Sequence, residues 1–408
     1  MTVTSTTTPT HRDAMPPTDA RYCPMMPTYG PPMATFVRGK GAELWDKDGK
    51  RYLDLLSGLA VTSLGHAHPE VAEAIASQAH TLLHVSNLFA NDNAWRVAMT
   101  LDNLLGGDGQ VFFCNSGAES NEAALKLARK WGGRGRHNII SAFGSFHGRT
   151  LATLHMTGQP AKHEVFWPLP EGFRHAAWAD MADLERIIDD TTCAIMLEPV
   201  QGEGGVNPAP EGYFADVRKL CDERGLLFLV DEVQTGLGRT GKWFGFQHFL
   251  PEGVRPDVVT MAKALGNGFP IGACWAKREV AAAFKPGDHA TTYGGTPLAT
   301  AAALAVLEVM QKLDIPAMAT RGGVRLTESL EKVDGVAFVR GLGLLLAVEL
   351  EGVTSKAVQA RLMELGCVTN AVTDTALRLA PPLNLSDAEI DEGVEFIARA
   401  IADVRAES

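Results

Sequence analysis

The sequence lacks paired cysteines, long apolar runs and an excess of basic charge, and each absence removes a class of function. Its six cysteines, Cys23, Cys114, Cys193, Cys221, Cys274 and Cys367, show no spacing suited to a zinc site or a disulfide framework. They read as reduced thiols of a cytoplasmic protein. No apolar run approaches the roughly 20 residues that cross a bilayer. Cys193 to Leu197 and Leu226 to Val230 are of buried-strand length, so no membrane partner is expected. With 48 acidic against 37 basic residues the net charge is −11, which disfavours nucleic acid and anionic lipid as partners. Residues 1–20, rich in Thr and Pro, lack the continuous apolar core of a secretory signal and read as a disordered leader. There is no internal repeat.

What remains is 408 residues, 46% of them hydrophobic, enough for a large core in two or more domains. From Val111 onward, short β-rich runs alternate with amphipathic stretches: Val111–Phe113, Ile139–Ala142, Ala194–Glu198, Leu226–Asp231, Val258–Thr260 and Gly272–Ala276. That alternation predicts an α/β domain with a mostly parallel sheet over 66–304. Residues 21–65 and 305–408 are expected to form a smaller α+β domain from both chain ends. Ala42 to Leu53 reads as a hairpin turning at Asp46, Lys47, Asp48 and Gly49. After Thr300 a long Ala/Leu helix, strands near Val336–Phe338 and Leu344–Leu350, and a last helix ending near Val404 are expected.

Ligands of such sheets gather at the carboxyl ends of strands, and four places there carry polar residues. After Cys114, the run Asn115, Ser116, Gly117, Ala118 opens a helix, which is either an anion site made by free N–H groups or a plain serine cap. Asp231 and Glu232 close a second strand, and an Asp there could bind a metal, cap a loop or pair with a protonated ring nitrogen. Lys263 lies between an apolar strand and the glycine-rich Gly266, Asn267, Gly268 turn. A lysine removed from water has a lowered pKa and becomes a Schiff-base nucleophile, where a surface lysine is merely solvated. The loop Gly202, Glu203, Gly204, Gly205 either carries Glu203 into a pocket or is a solvated turn.

In order and content these segments resemble the class III, or ω-amino acid, aminotransferases, pyridoxal-phosphate (PLP) enzymes of fold type I, and within them the acetylornithine/ornithine branch. The likeness spans residues 25–405. It rests on Val230 to Gly236 with Gly238, Arg239 and Thr240, and on Ala262 to Leu265. The resemblance implies pyridoxal 5'-phosphate as cofactor, with Lys263 as its Schiff-base lysine, Asp231 on the pyridine nitrogen and Gln234 near the ring hydroxyl. It places Ser116, Gly117 and Ala118 at the phosphate, and Phe146 and His147 where an aromatic ring covers the cofactor face. Thr292 resembles a threonine that reaches the neighbouring subunit's phosphate, which implies a homodimer. Arg149 and Arg378 resemble two carboxylate clamps, suiting 2-oxoglutarate and glutamate. Glu203 resembles a glutamate that neutralises the second clamp while a terminal amine donor is bound.

Thr296, Ala290 and Asn267 depart from residues common in the family, and small local changes are expected there. Ala90 stands where ornithine aminotransferases tend to have Tyr, which favours an acylated donor, N-acetylornithine, in arginine biosynthesis. Ornithine, succinylornithine and 4-aminobutyrate are the alternative donors. An aminomutase and a non-catalytic member of the fold are alternatives of other classes. His66 and His68 flank Ala67 with no third ligand spacing, so no metal is expected.

Overall fold

Strands such as Asn138–Ala142 and Leu227–Asp231 are buried along their whole length, which is what a parallel sheet covered on both faces demands of apolar runs. In the computed structural model, which describes residues 25–407, they lie in a seven-stranded sheet. Its order is Gly109–Cys114, Gly272–Lys277, Val258–Met261, Leu227–Asp231, Thr192–Leu197, Asn138–Ala142 and Phe173–Ala176. Gly272–Lys277 runs antiparallel to both neighbours, and the other pairs are parallel. All six strands expected from the apolar runs are present. The seventh, Phe173–Ala176, has only one neighbour and half-buried Arg174 and His175 at its centre. An edge strand needs no continuous apolar run, so it left no signal in the hydrophobic pattern.

The hairpin expected over Ala42 to Leu53 is formed by Glu43–Asp46 and Arg51–Asp54. Asp46 Oδ1 accepts from the backbone N–H groups of Asp48 and Lys50, and Gly49 takes φ +83° to close the turn. Chain ends meet here: Arg51–Asp54 pairs in parallel with Cys367–Val368. A second four-stranded sheet orders Val336–Leu342, Leu345–Leu350, Ala376–Leu379 and Asn370–Ala371. The helical segment expected after Thr300 is two helices, Pro297–Lys312 and Ile315–Leu330. Asp314 breaks it with φ +51°, and Pro316 sits in the first turn of the second helix, where its missing N–H costs nothing.

One buried cation ties the large sheet to the second lobe. Arg239 Nη1 donates to the carbonyls of Leu344 and Pro381, and its Nη2 donates to Ser63 Oγ. Among the described residues no carboxylate pairs with it, and burial pulls its pKa down to about 9. The five described cysteines are buried and unpaired. Among the described residues no helix is long and apolar enough to cross a membrane. The expected leader, 1–20, and Cys23 lie outside the described residues.

Gly272 opens the reversed strand directly opposite Cys114. A Cβ there would stand 2.5 Å from the Ser116 carbonyl and 2.8 Å from Cys114 Sγ. Gly272→Ala is therefore expected to cost about 1–3 kcal/mol by overpacking, read as a lowered urea midpoint with an unchanged slope.

Candidate functional site

Because the parallel strands share a direction, their carboxyl ends put the residues after Cys114, Ala142, Leu197, Val230 and Met261 around one cleft. Asn115, Phe146, Glu198, Asp231 and Lys263 line a single cavity of about 410 Å³. Asp231 ends its strand buried, and three N–H groups hold its carboxylate. Asn121 Nδ2 and His147 Nδ1 each lie 2.8 Å from Oδ2, and the Val233 N–H is 2.9 Å from Oδ1. Glu232, the other carboxylate of the pair, is turned away. It accepts from Thr235 and from the N–H groups of Gly245 and Phe246, and burial raises its pKa to about 7.

Asn121 was not singled out from the sequence. It sits on the helix Gly117–Gly132, one turn before buried Ala124 and Leu125, so it is a polar residue within the core-facing stripe. That was the available signal, since a buried amide must find partners. Its Nδ2 also donates to the His147 carbonyl at 2.7 Å, locking the two residues that grip Asp231. Asn121 Oδ1, His147 Nε2 and Gln234 Nε2 are buried without a protein partner.

Lys263 begins a short 3₁₀ turn and is held at φ +44°, a left-handed conformation that costs a non-glycine residue about 1–3 kcal/mol. Burial, followed by the Arg378 charge, pulls its amine down to about 8, against the carboxylates of Glu203, Asp231 and Glu198. Glu198 directly follows Thr192–Leu197, the strand beside that of Asp231, and was also missed, although the strand-end rule covers it. Burial and then the charge of Asp231 push its carboxyl well above the ordinary value, and it accepts from the Phe146 N–H at 3.1 Å.

Ser116 caps the helix, its Oγ accepting from the Glu119 N–H at 3.2 Å. The first-turn N–H groups of Gly117 and Ala118 have no helical carbonyl to bond and stand at the positive end of the helix dipole. Gly117 has a packing reason beyond close approach of an anion, because a Cβ there would be 2.7 Å from Val233 Cγ1. Arg149 is exposed at the cavity, its guanidinium 5.7 Å from the Phe146 ring centre. Arg378 is buried. Its Nη1 lies 2.6 Å from Glu203 Oε1 and its Nη2 2.7 Å from Asn370 Oδ1. Glu203 lines the cavity and Arg378 does not, so the carboxylate covers the guanidinium from that side. Burial works against ionisation of Glu203, but Arg378 prevails and holds its carboxyl below the ordinary value.

Of the expected site residues, Arg378 stands behind Glu203 and Thr292 lies apart, and neither lines this cavity. Thr292 is exposed, beside His289 and Tyr293, in a separate depression of about 290 Å³. His66 Nε2 is 2.7 Å from Asp54 Oδ2, and among the described residues no group of three or more His, Cys, Asp or Glu is arranged to hold a metal.

Sheet and cavity together define an enzyme of the α/β class, with a helix start, a buried carboxylate and a lysine amine converging on one cleft. Residues 25–401 match the family of class-III aminotransferases. An acetylornithine aminotransferase of Corynebacterium efficiens is 49% identical over 392 residues, covering 94% of this chain and 96% of that one. Among solved structures, the N-acetylornithine aminotransferase of Stenotrophomonas maltophilia is 36% identical, with TM-score 0.80 over 93% of this chain and 98% of that one. The ornithine aminotransferase of Toxoplasma gondii, seen with PLP at partial occupancy in its active site, is 33% identical, with TM-score 0.88 over 94% and 93%. The chain belongs to the class-III aminotransferases, of PLP fold type I.

A lowered lysine pKa has a direct readout. Competitive labelling of the cofactor-free protein with an amine-reactive anhydride should give Lys263 a titration midpoint near 8, with reactivity rising as pH increases through it. In Arg378→Met, losing the second cause of the shift, the midpoint should move upward. A midpoint above 10 in the native chain would contradict the buried amine.

Proposed function

We propose that the chain is an acetylornithine aminotransferase, which carries pyridoxal 5'-phosphate in this cavity and moves the terminal amino group of N-acetylornithine to 2-oxoglutarate. The observation that carries this reading is the 2.6 Å pair between Glu203 and Arg378 beside an open Arg149. A donor with a terminal amine brings one carboxylate at its far end, whereas glutamate brings two. A fixed pair of exposed arginines would favour glutamate throughout. One exposed guanidinium and one covered by a displaceable carboxylate serve both in turn.

The residues fit the cofactor on structural grounds. Asp231 offers a buried, rigid acceptor for a protonated ring nitrogen, and Gln234 Nε2 is a buried donor with no protein partner, suited to the ring hydroxyl. Ser116, Gly117 and Ala118 present the helix start to the phosphate, and Phe146 lies at the cavity wall to cover the ring with His147 behind it. When bound, pyridoxal phosphate supplies an electron sink for the charge left as the substrate carbon loses its proton. Lys263 is the amine that bonds the cofactor. With its pKa near 8 a useful fraction is neutral at physiological pH. Nζ would then be able to bond the cofactor's aldehyde carbon with loss of water and, once released by the substrate amine, to take the proton from the amine-bearing carbon. Arg149 binds the carboxylate remote from the reacting amine. Glu203 rests on Arg378 in the donor half-reaction and yields when an α-carboxylate arrives.

The assembly belongs to the same proposal. Thr292 reaches the phosphate of a second copy, since it lies outside its own chain's cavity. Leu88, Phe89, Trp95 and Tyr293 are exposed by 87%, 69%, 68% and 63%, the apolar face that a second copy would cover. Ala90 lies in that stretch, outside the cavity of its own chain.

Mixing the PLP form with N-acetylornithine, ornithine, succinylornithine and 4-aminobutyrate in turn, and following conversion to the pyridoxamine form by absorbance, identifies the donor. N-acetylornithine should react fastest, and a faster ornithine reaction would sink that assignment. Lys263→Ala should abolish turnover while the protein stays folded. Glu203→Ala should shift single-turnover rates toward glutamate and away from N-acetylornithine by about tenfold, or about 1.4 kcal/mol.

A further inference from the structure

Glu203 sits at the tip of a small ribbon whose strands, Val200–Gln201 and Asn207–Pro208, pair antiparallel. Left-handed backbone angles shape the tip, and hydrogen bonds fix it. Gly205 takes φ +117° and Val206 φ +55°, and Asn207 Nδ2 holds the Gly204 carbonyl at 2.9 Å. Beyond them the Gly205 carbonyl accepts two hydrogen bonds from one side chain: Arg340 Nε at 3.0 Å and Nη2 at 2.7 Å. The remaining nitrogen, Nη1, lies 2.6 Å from Glu349 Oε2. All three nitrogens of Arg340 are thus committed, two of them to the loop that carries Glu203.

The register of the second four-stranded sheet explains why this grip and the Glu203 contact are neighbours. Arg340 is opposite Ala347, Ala347 opposite Arg378, and Arg378 opposite Asn370. Residues directly opposite share a face, so the four form one row across four strands. Two strand spacings separate the guanidinium-bearing positions, roughly 10 Å. Ala347 between them is the smallest side chain that keeps a Cβ, and it leaves both arginines room to rise from the sheet. Glu349, two residues along the same strand, lies on the same face and holds Arg340 in place. The loop lies across this row with Glu203 on Arg378 and Gly205 on Arg340.

We propose that Arg340 is the positioning residue of the Glu203 gate: its grip on the Gly205 carbonyl seats the loop on the sheet, so that the gate opens by swinging the Glu203 side chain while the backbone stays down. This rests on the reading of Glu203 as a displaceable partner of Arg378. The pair on Arg378 must be breakable, because a substrate carboxylate replaces it. The bonds on Gly205 compete with no substrate group and hold in both half-reactions. Without them the tip can lift, Glu203 covers Arg378 for less of the time, and α-carboxylates reach the guanidinium more readily.

The test is a double-mutant cycle on single-turnover rates of the two half-reactions. Arg340→Gln is expected to shift the glutamate to N-acetylornithine ratio toward glutamate by about fivefold, in the direction of Glu203→Ala, with the absorbance of the bound cofactor unchanged. In the Glu203→Ala background the same substitution should leave the ratio alone. Equal slowing of both half-reactions, or a further shift in that background, would overturn the proposal by showing a structural role only. Should Arg340→Gln not fold, Arg340→Lys keeps the charge but loses the two-nitrogen grip. It should shift the ratio the same way, and an unchanged ratio would overturn the proposal. If Glu203→Ala itself leaves the ratio unchanged, the gate reading fails and this one with it. A normal Glu203→Ala shift with a silent Arg340→Gln fails this one alone.

Discussion

A buried carboxylate at the end of a central strand cannot keep its charge without partners, and Asp231 is satisfied by three N–H groups drawn from three segments. That requirement organises the cleft. Asn121 must face inward from its helix, His147 must turn its ring under the loop after Ala142, and the chain must bend at Val233. The bend seats Val233 against Gly117 and so sets how closely the helix start approaches the strand end. The grip leaves Asp231 able to receive one more donor, the part proposed for a ring nitrogen.

Around that fixed point the cleft balances charge in a low-dielectric space. Lys263 and Arg378 lower the cost of the carboxylates, and Glu203 and Asp231 oppose the lowering of the Lys263 pKa. Burial still wins for Lys263, with the Arg378 charge acting in the same direction, because the opposing carboxylates of Glu203 and Asp231 are engaged with other partners. Glu198 is the group that gives way. With Asp231 committed to its N–H partners, the nearby Glu198 carboxyl is driven toward its protonated form, which spares the cavity a second uncompensated negative charge.

Arg378, the proposed second carboxylate clamp, belongs to a different sheet from the strand that leads into Lys263, and Arg239 couples the two. It extends from the loop after Asp231 to the Pro381 carbonyl, three residues beyond Arg378. A guanidinium with no carboxylate partner is costly to bury; its hydrogen bonds to fixed carbonyls offset part of that cost, and the same bonds set where the strand end after Arg378 stands relative to Asp231. Substrate discrimination in this reading is a property of the joint between sheets.

The sequence by itself determined the α/β sheet and the strand-end residues, because buried parallel strands must be apolar throughout and the polar residues that interrupt them stand out, and the family was legible from the resemblance of the runs around Asp231 and Lys263. Asp231 and Lys263 were legible for that reason. Phe173–Ala176 was not, since an edge strand satisfies itself with mixed residues. Asn121 looked like any polar residue of an amphipathic helix until its neighbours placed it under Asp231. The row of Arg340, Ala347, Arg378 and Asn370 joins residues from four strands, and no local pattern encodes which arginines share a ladder. Thr292, expected at the neighbouring subunit's phosphate, stands outside its own chain's cavity. Tertiary structure alone decided these pairings, because hydrogen bonds and ion pairs depend on a few ångströms of separation between residues far apart along the chain.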